Sequence, residues 1–150
     1  MRYAVSIATL IVLGAVGAHA QQAGGEFHTG RCSPAPGSDK WPLVQVYFDT
    51  GSTKVRPADQ KKIAETAKRA KDNFIQQICL IGTTDKQGDA KANERLARER
   101  ARAVGQELVN GGVARDAIIL QPLGEPGGGI LSGVQRSAQA DRRVDIRFAR

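Results

Sequence analysis

The fold is decided by residues 75–110, which read IQQICLIGTTDKQGDAKANERLARERARAVGQELVN. Residues 75–81 are rich in isoleucine and other apolar residues, which is typical of a buried strand, and Gly82 ends the run. Residues 90–110 instead place apolar side chains at helical spacing, namely Leu96, Ala101, Val104 and Leu108. The stretch therefore predicts a strand, a short turn and a long helix.

The same two patterns recur on both sides of this stretch. Residues 43–48, 117–122 and 143–148 are predicted strands, and a helix is predicted from Pro57 to about Asn73. The apolar face of that helix is expected to contain Ile63, Ala67, Ala70 and Phe74. The resulting order, β-α-β-α-β-β, predicts an α+β or α/β two-layer sandwich, with a mixed sheet and two main helices on one face.

The N-terminus is predicted to be a secretory signal peptide spanning residues 1–20. The run from Ala4 to Val16 is apolar but short for a membrane span, and residues 18–20 read Ala-His-Ala, like a signal-peptidase site. An uncleaved signal anchor is the less favoured alternative. Residues 21–40 are predicted to form a flexible arm and residues 41–150 a single domain, and no second membrane-spanning segment is expected.

The chain is basic, with a formal net charge of +7. Removal of Arg2 with the signal would leave +6, so the exported domain should be drawn to anionic polymers of the cell envelope. A scattered basic surface that serves solubility is the simpler interpretation for most lysines, because acidic residues are interleaved with them. Export and an aromatic content of 5% argue against nucleic acid as a partner, since no stacking platform is visible.

The chain has two cysteines, Cys32 and Cys79. In an oxidising compartment a disulfide between them is the favoured hypothesis, and it would pin the arm to the sheet. The alternative is two unpaired thiols, with Cys79 acting as a small core residue. The residue directly after the predicted cleavage site is Gln21 rather than a cysteine, so we do not expect a lipid anchor there.

Asp85 and Arg100 are the two residues most suggestive of a binding site. Taken alone, Asp85 is best explained as a turn or capping carboxylate, and Arg100 as a solvated helix residue. However, Arg100 follows Leu96 by four residues and precedes Val104 by four, which places it beside the apolar stripe. A buried arginine needs a carboxylate partner, supplied either by Asp85 directly or by a ligand that bridges the two.

Three groups of residues resemble motifs of the OmpA C-terminal-like family, whose members are periplasmic domains that bind peptidoglycan. The groups are Phe48-Asp49-x-x-Ser52; Gly82-x-Thr84-Asp85-x-x-Gly88 with Asn93, Leu96, Arg100-Ala101 and Val104; and Arg142-Arg143-Val144-Asp145-Ile146. The resemblance covers residues 44–148. It implies a periplasmic protein that binds peptidoglycan and is associated with the outer membrane or cell wall, alone or through an envelope protein partner.

The resemblance also implies a ligand, the diaminopimelate of the peptidoglycan stem peptide. Arg100 would bind the carboxylate of diaminopimelate, and Asp85 would accept hydrogen bonds from its ammonium. Asn93 would support the ligand and the loop that contains Asp85. Asp49 and Thr84 complete the expected ligand-binding set.

The chain departs from the family pattern at three positions, where Thr83, Ala97 and Asp141 replace the usual His, Ser and Asn. Asp141 is expected to add negative charge near the pocket.

An enzymatic function is not expected, and neither a cofactor nor a metal is predicted. His28 is the only histidine beyond the predicted signal, and distant cysteines do not make a zinc site. Asp49 and Asp85 as a glycosidase pair have no further support. The alternative to peptidoglycan binding is an interaction protein of the cell envelope, which keeps the fold but binds a protein partner or an anionic polymer through its basic surface.

Overall fold

The computed structural model describes residues 25–32, 43–85, 88–124 and 138–149. The predicted signal peptide, most of the predicted arm and residues 125–137, which include the glycine-rich run 127–129, lie outside the described residues. Five strands and two long helices follow in chain order: β1 (His28–Thr29), β2 (Val44–Tyr47), α1 (Pro57–Asp72), β3 (Gln77–Thr83), α2 (Ala90–Asn110), β4 (Ile118–Gly124) and β5 (Arg143–Ala149). A short 3-10 helix (Arg115–Ala117) and a one-turn helix, α3 (Ala138–Asp141), precede the last two strands.

The strands form one mixed sheet in the order β1-β4-β3-β5-β2. The pairs β1–β4 and β3–β4 are parallel, whereas β5 is antiparallel to both β3 and β2. Alternate residues of the strands, including Leu80, Leu120 and Ile146, meet Ile63 of α1 and Val104 of α2 in one apolar core. The predicted two-layer sandwich with both helices on one face is thus confirmed. Among the described residues, no helix is both long and apolar enough to cross a lipid bilayer.

Helix α1 begins and ends as predicted, but one side chain that was assigned to its apolar face is exposed. Pro57 begins the helix, where its missing N–H is harmless, and Asn73 ends it. The prediction that Phe74 belongs to the apolar face is wrong, because its side chain is 82% exposed. Phe74 takes a left-handed backbone conformation (φ 52°), so that the Ile75 amide bonds back to the Ala70 carbonyl and closes the helix. The turn directs the ring outward.

Helix α2 spans the predicted residues, with one change in the side chains that it buries. Leu96 is only partly buried, whereas the neighbouring Ala97 is fully buried. Ala97 faces Gly82 of β3, at a point where the helix and strand backbones approach so closely that a Cβ on Gly82 would collide with the Ala97 carbonyl oxygen. The helix ends at Gly111, and Gly112 has φ 90°, which confirms the predicted glycine stop.

The arm predicted to be flexible contains an ordered part, residues 25–32. It adds β1 to the edge of the sheet beside β4, and a disulfide joins Cys32 to Cys79 of β3 with a Cα–Cα distance of 5.9 Å. Phe27 is buried in the core, and the Arg115 guanidinium lies 4.3 Å from the centre of its ring. A two-residue strand is too short to be stable alone, so the disulfide and Phe27 hold it in place.

The buried Asp59 in the first turn of α1 predicts a loss of stability in acid. Burial alone would raise the pKa of Asp59, but hydrogen bonds from Lys62 (2.9 Å) and Arg56 (2.7 Å) lower it below its ordinary value. Its stabilisation is therefore present above the unfolded-state pKa of about 3.9 and lost as the pH falls through the folded-state pKa.

We expect Asp59→Asn to lower the free energy of unfolding at pH 7 by about 1–2 kcal/mol. This figure allows for the partial exposure of Arg56 and Lys62, which weakens both ion pairs. Urea unfolding at pH 7 and pH 3 measures this effect. The difference between the variant and the native chain should shrink at pH 3, and an equal difference at both pH values would contradict the assignment.

Candidate functional site

Asp85 lies two residues beyond the end of β3, in the loop that leads to α2. It does not cap the helix: the N-cap residue is Asp89, whose Oδ1 accepts a hydrogen bond of 3.0 Å from the Ala92 amide. The capping explanation for Asp85 is therefore wrong. Its carboxylate instead lies just beyond the carboxyl end of β3, where ligand sites commonly form in sheets with parallel strands.

Arg100 is fully buried in the middle of α2. Its Nε donates to the Ser52 carbonyl at 2.8 Å, its Nη2 donates to the Asp49 carbonyl at 3.0 Å, and its Cζ lies 5.2 Å from the centre of the Phe48 ring. The expected carboxylate partner is thus replaced by two backbone carbonyls, and the described residues show no ion pair between Arg100 and Asp85. Nη1 is buried and has no hydrogen-bond partner in the described part of the chain.

The surroundings of Arg100 are electrostatically strained. Burial lowers the pKa of its guanidinium, the charge of Arg142 lowers it further, and Asp85 acts in the opposite direction. Arginine nevertheless stays protonated in proteins, so the cost of its charge persists. A site with a buried cation and an unused donor favours an anionic group from outside.

The partner of Asp85 is Arg142, which sequence reasoning did not assign to the site. The Arg142 Nη1 lies 3.1 Å from the Asp85 Oδ2, and the two side chains are only 16% and 14% exposed. Arg142 directly precedes β5, and its carbonyl accepts from the Phe48 amide at 2.9 Å. The third motif group, residues 142–146, contains Arg142 and Arg143 as possible site residues. Spacing alone did not show which of the two guanidinium groups faces the site.

The remaining predicted site residues occupy different positions relative to Asp85. Asn93 is buried and its Nδ2 donates to the Asp85 carbonyl at 3.4 Å, so it holds the loop. Thr84 is buried, and its hydroxyl has no hydrogen-bond partner among the described residues. Asp49 contributes its carbonyl to Arg100, while its side chain is exposed.

Two of the departures from the family pattern touch each other. The Thr83 hydroxyl donates to the Asp141 carbonyl at 2.8 Å, and the Asp141 Oδ1 lies 3.7 Å from the Arg143 Nη1. Arg143 also bonds to Asp145 at 2.9 Å. The negative charge of Asp141, expected near the pocket, therefore faces the guanidinium of Arg143.

Together, Asp85, Arg100 and Arg142 place one carboxylate and two guanidinium groups in a largely buried cluster. This arrangement can bind a small group that carries both charges, with its anion toward the arginines. Among the described residues, no three His, Cys, Asp or Glu side chains lie close enough together to hold a metal ion.

Comparison with known proteins shows to which family the chain belongs. The chain is 33% identical over 102 residues to the probable lipoprotein YiaD of Escherichia coli K12, which covers 67% of this chain and 46% of that protein. It is 31% identical over 105 residues to the peptidoglycan-associated lipoprotein of Pseudomonas putida, covering 70% of this chain and 63% of that one. The chain thus spans between about half and two thirds of the length of these relatives.

Solved structures agree with the sequence comparison. The crystal structure of the peptidoglycan-associated lipoprotein from Burkholderia pseudomallei superposes with a TM-score of 0.60 at 28% identity, covering 69% of this chain and 88% of that one. The sequence pattern of the OmpA family matches residues 47–142, which include every predicted ligand-binding residue as well as Arg142. The chain therefore belongs to the OmpA family.

Proposed function

We propose that this protein binds peptidoglycan non-covalently in the periplasm, through the diaminopimelate of the stem peptide. The observation that carries the proposal is the buried Nη1 of Arg100, which has no partner in the described residues and shares a cluster with the Asp85 carboxylate. The free end of diaminopimelate carries an ammonium and a carboxylate on one carbon, and therefore complements this cluster. Membership of the OmpA family and the similarity to two peptidoglycan-associated lipoproteins support peptidoglycan as the polymer that is bound.

The residues are assigned distinct roles in this proposal. The Arg100 guanidinium receives the ligand carboxylate, and its position is held by the carbonyls of Asp49 and Ser52. Asp85 accepts from the ligand ammonium, in a loop that Asn93 supports from α2. The Thr84 hydroxyl offers a further polar contact. These roles are those of a binding protein, and none of them requires bond cleavage.

The experiment is co-sedimentation of the exported protein with sacculi of the diaminopimelate type, at low and high salt. Asp85→Asn removes the negative charge that is proposed to bind the ligand ammonium. Arg100→Lys keeps the positive charge but removes the planar guanidinium, whose N–H groups can bind a carboxylate. Each variant should weaken binding by about tenfold or more. Binding by the native chain should persist at high salt, because buried charges are screened less than exposed ones.

Arg98→Lys is the matched control for Arg100→Lys, since Arg98 lies two residues away on α2 and pairs with Glu94 at the surface. It makes the same substitution outside the site and should bind like the native chain. Thermal unfolding of each variant separates loss of binding from loss of fold. Undiminished sedimentation of both site variants would reject the proposal. Binding that disappears with salt in every variant would favour the alternative, an envelope interaction protein with a basic surface.

A further inference from the structure

We propose that Arg142 holds the position beside Asp85 that the ligand ammonium takes on binding, and that binding exchanges one ion pair for two. The ligand ammonium takes over the Asp85 carboxylate, and the released Arg142 joins Arg100 in binding the ligand carboxylate. Arg142 thereby selects for groups that bring an ammonium and a carboxylate together, and selects against simple amines. This inference rests on the proposed function and names the residue that sets its specificity.

The first support is that Asp85 already has a cation. The Arg142 Nη1 lies 3.1 Å from the Asp85 Oδ2, and the pair is largely buried. An incoming ammonium must therefore compete with a guanidinium for the same carboxylate. An amine that offers nothing to Arg142 would leave that largely buried guanidinium without its partner, which is costly.

The second support is that the two arginines are held with different strength. Arg100 is fully buried and makes two short hydrogen bonds to backbone carbonyls, at 2.8 and 3.0 Å. Arg142 is 16% exposed, and among the described residues its side chain has, apart from Asp85, only a long contact of 3.5 Å from Nε to the Phe48 carbonyl. A hydrogen bond of that length is weak. Arg100 is thus the fixed part of the site and Arg142 the exchangeable part.

The third support is the balance of charge. Burial and the nearby Arg142 both disfavour the charged form of Arg100, and the cluster holds two cations against one anion. A simple amine would add a third cation to this cluster. A group with its own carboxylate supplies the missing anion, and the partnerless Arg100 Nη1 together with the released Arg142 can donate to it.

The test compares two soluble muropeptides that are identical except at the third stem residue, which is diaminopimelate in one and lysine in the other. The lysine side chain has the ammonium but lacks the carboxylate. Calorimetric titration gives the affinity ratio of the two muropeptides for the native chain and for Arg142→Gln. Arg147→Gln is the control, because it removes the same charge from an exposed position on β5.

We expect the native chain and Arg147→Gln to show the same strong preference for the diaminopimelate muropeptide over the lysine muropeptide. Arg142→Gln should lower this affinity ratio by about tenfold or more, since one charge-assisted contact to the ligand carboxylate is lost. Because both ligands are measured on the same variant, partial unfolding lowers both affinities and leaves the ratio unchanged. Arg142→Lys keeps a cation for Asp85 and should retain part of the discrimination.

Two outcomes overturn the inference. An unchanged ratio in Arg142→Gln, with the diaminopimelate muropeptide still bound by the native chain, refutes the role of Arg142 and leaves the proposed function intact. Failure of the native chain to bind either muropeptide refutes the proposed function, and the inference with it.

Discussion

Replacing both Cys32 and Cys79 with alanine is expected to lower the free energy of unfolding by about 4 kcal/mol, on the loop-entropy model of disulfide stabilisation. The disulfide closes a loop between residues 47 positions apart and fixes β1 against the sheet. Without it, β1 keeps its parallel pairing with β4 and the burial of Phe27, which together are weak support for a two-residue strand. Guanidinium unfolding in non-reducing buffer measures the difference.

The double variant provides its own control for reductant. The unfolding midpoint of the native chain should fall on reduction to near that of the double variant, whose own midpoint should not change. The disulfide would be contradicted if the unfolding midpoint of the native chain did not change on reduction. It would also be contradicted if mass analysis of the exported protein found two free thiols.

Gly82→Ala is the second variant with a large expected effect. We expect it to lower the free energy of unfolding by about 3 kcal/mol, at the upper end of the usual range for overpacking. A Cβ at this position would meet the backbone of Ala97, with the carbonyl carbon at 3.0 Å and the carbonyl oxygen closer still. Backbone atoms cannot rotate out of the way, so α2 must move from the sheet. Because α2 carries Arg100, the variant should also weaken binding to sacculi.

Gly30→Ala is the matched control for this variant. Its Cβ would have the Ile119 Cγ2 at 3.8 Å as its nearest neighbour, which is an ordinary contact. Thermal unfolding should show a native-like midpoint for Gly30→Ala and a much lower one for Gly82→Ala. Equal midpoints would mean that the helix and strand can separate without cost at this point.

The main elements of the fold could be predicted because their signals are local. Helix α2 combines an apolar stripe with a glycine stop, and α1 begins at a proline, so both appear within about 20 residues of sequence. Strand β1 could not be predicted in this way, since its two residues gain their structure from β4 and from the distant Cys79. The outward turn of Phe74 was missed because helical spacing continues past the point where the backbone changes hand.

Spacing placed Arg100 beside the buried side of α2 but could not predict its contacts. The nearby Arg98 and Arg102 instead pair with Glu94 and Glu26 at the surface. Spacing could not show that backbone carbonyls would bind Arg100, because those carbonyls come from a loop about 50 residues earlier. Nor could it show that Arg142, which directly precedes the neighbouring strand β5, reaches Asp85 just beyond β3.

The predicted domain boundaries and the roles of the site residues remain predictions. The geometry supports a coherent account of how the site and the fold depend on each other. Both Arg100 and Arg142 bond to the segment that follows β2, at Phe48, Asp49 and Ser52. The charges proposed to bind the ligand therefore also hold this segment in place, so a ligand that engages them should raise the stability of the whole domain.

Binding of the stem peptide to the cluster of Asp85, Arg100 and Arg142 can be followed residue by residue, by amide-resolved NMR during titration with a diaminopimelate muropeptide. We expect the largest shifts at Thr84, Asp85, Asn93, Arg100 and residues 48–52, and we expect Arg100→Lys to reduce them strongly. Shifts confined to the exposed lysines of α1, with these residues unchanged, would contradict binding at this cluster and would indicate that the ligand binds the basic surface instead.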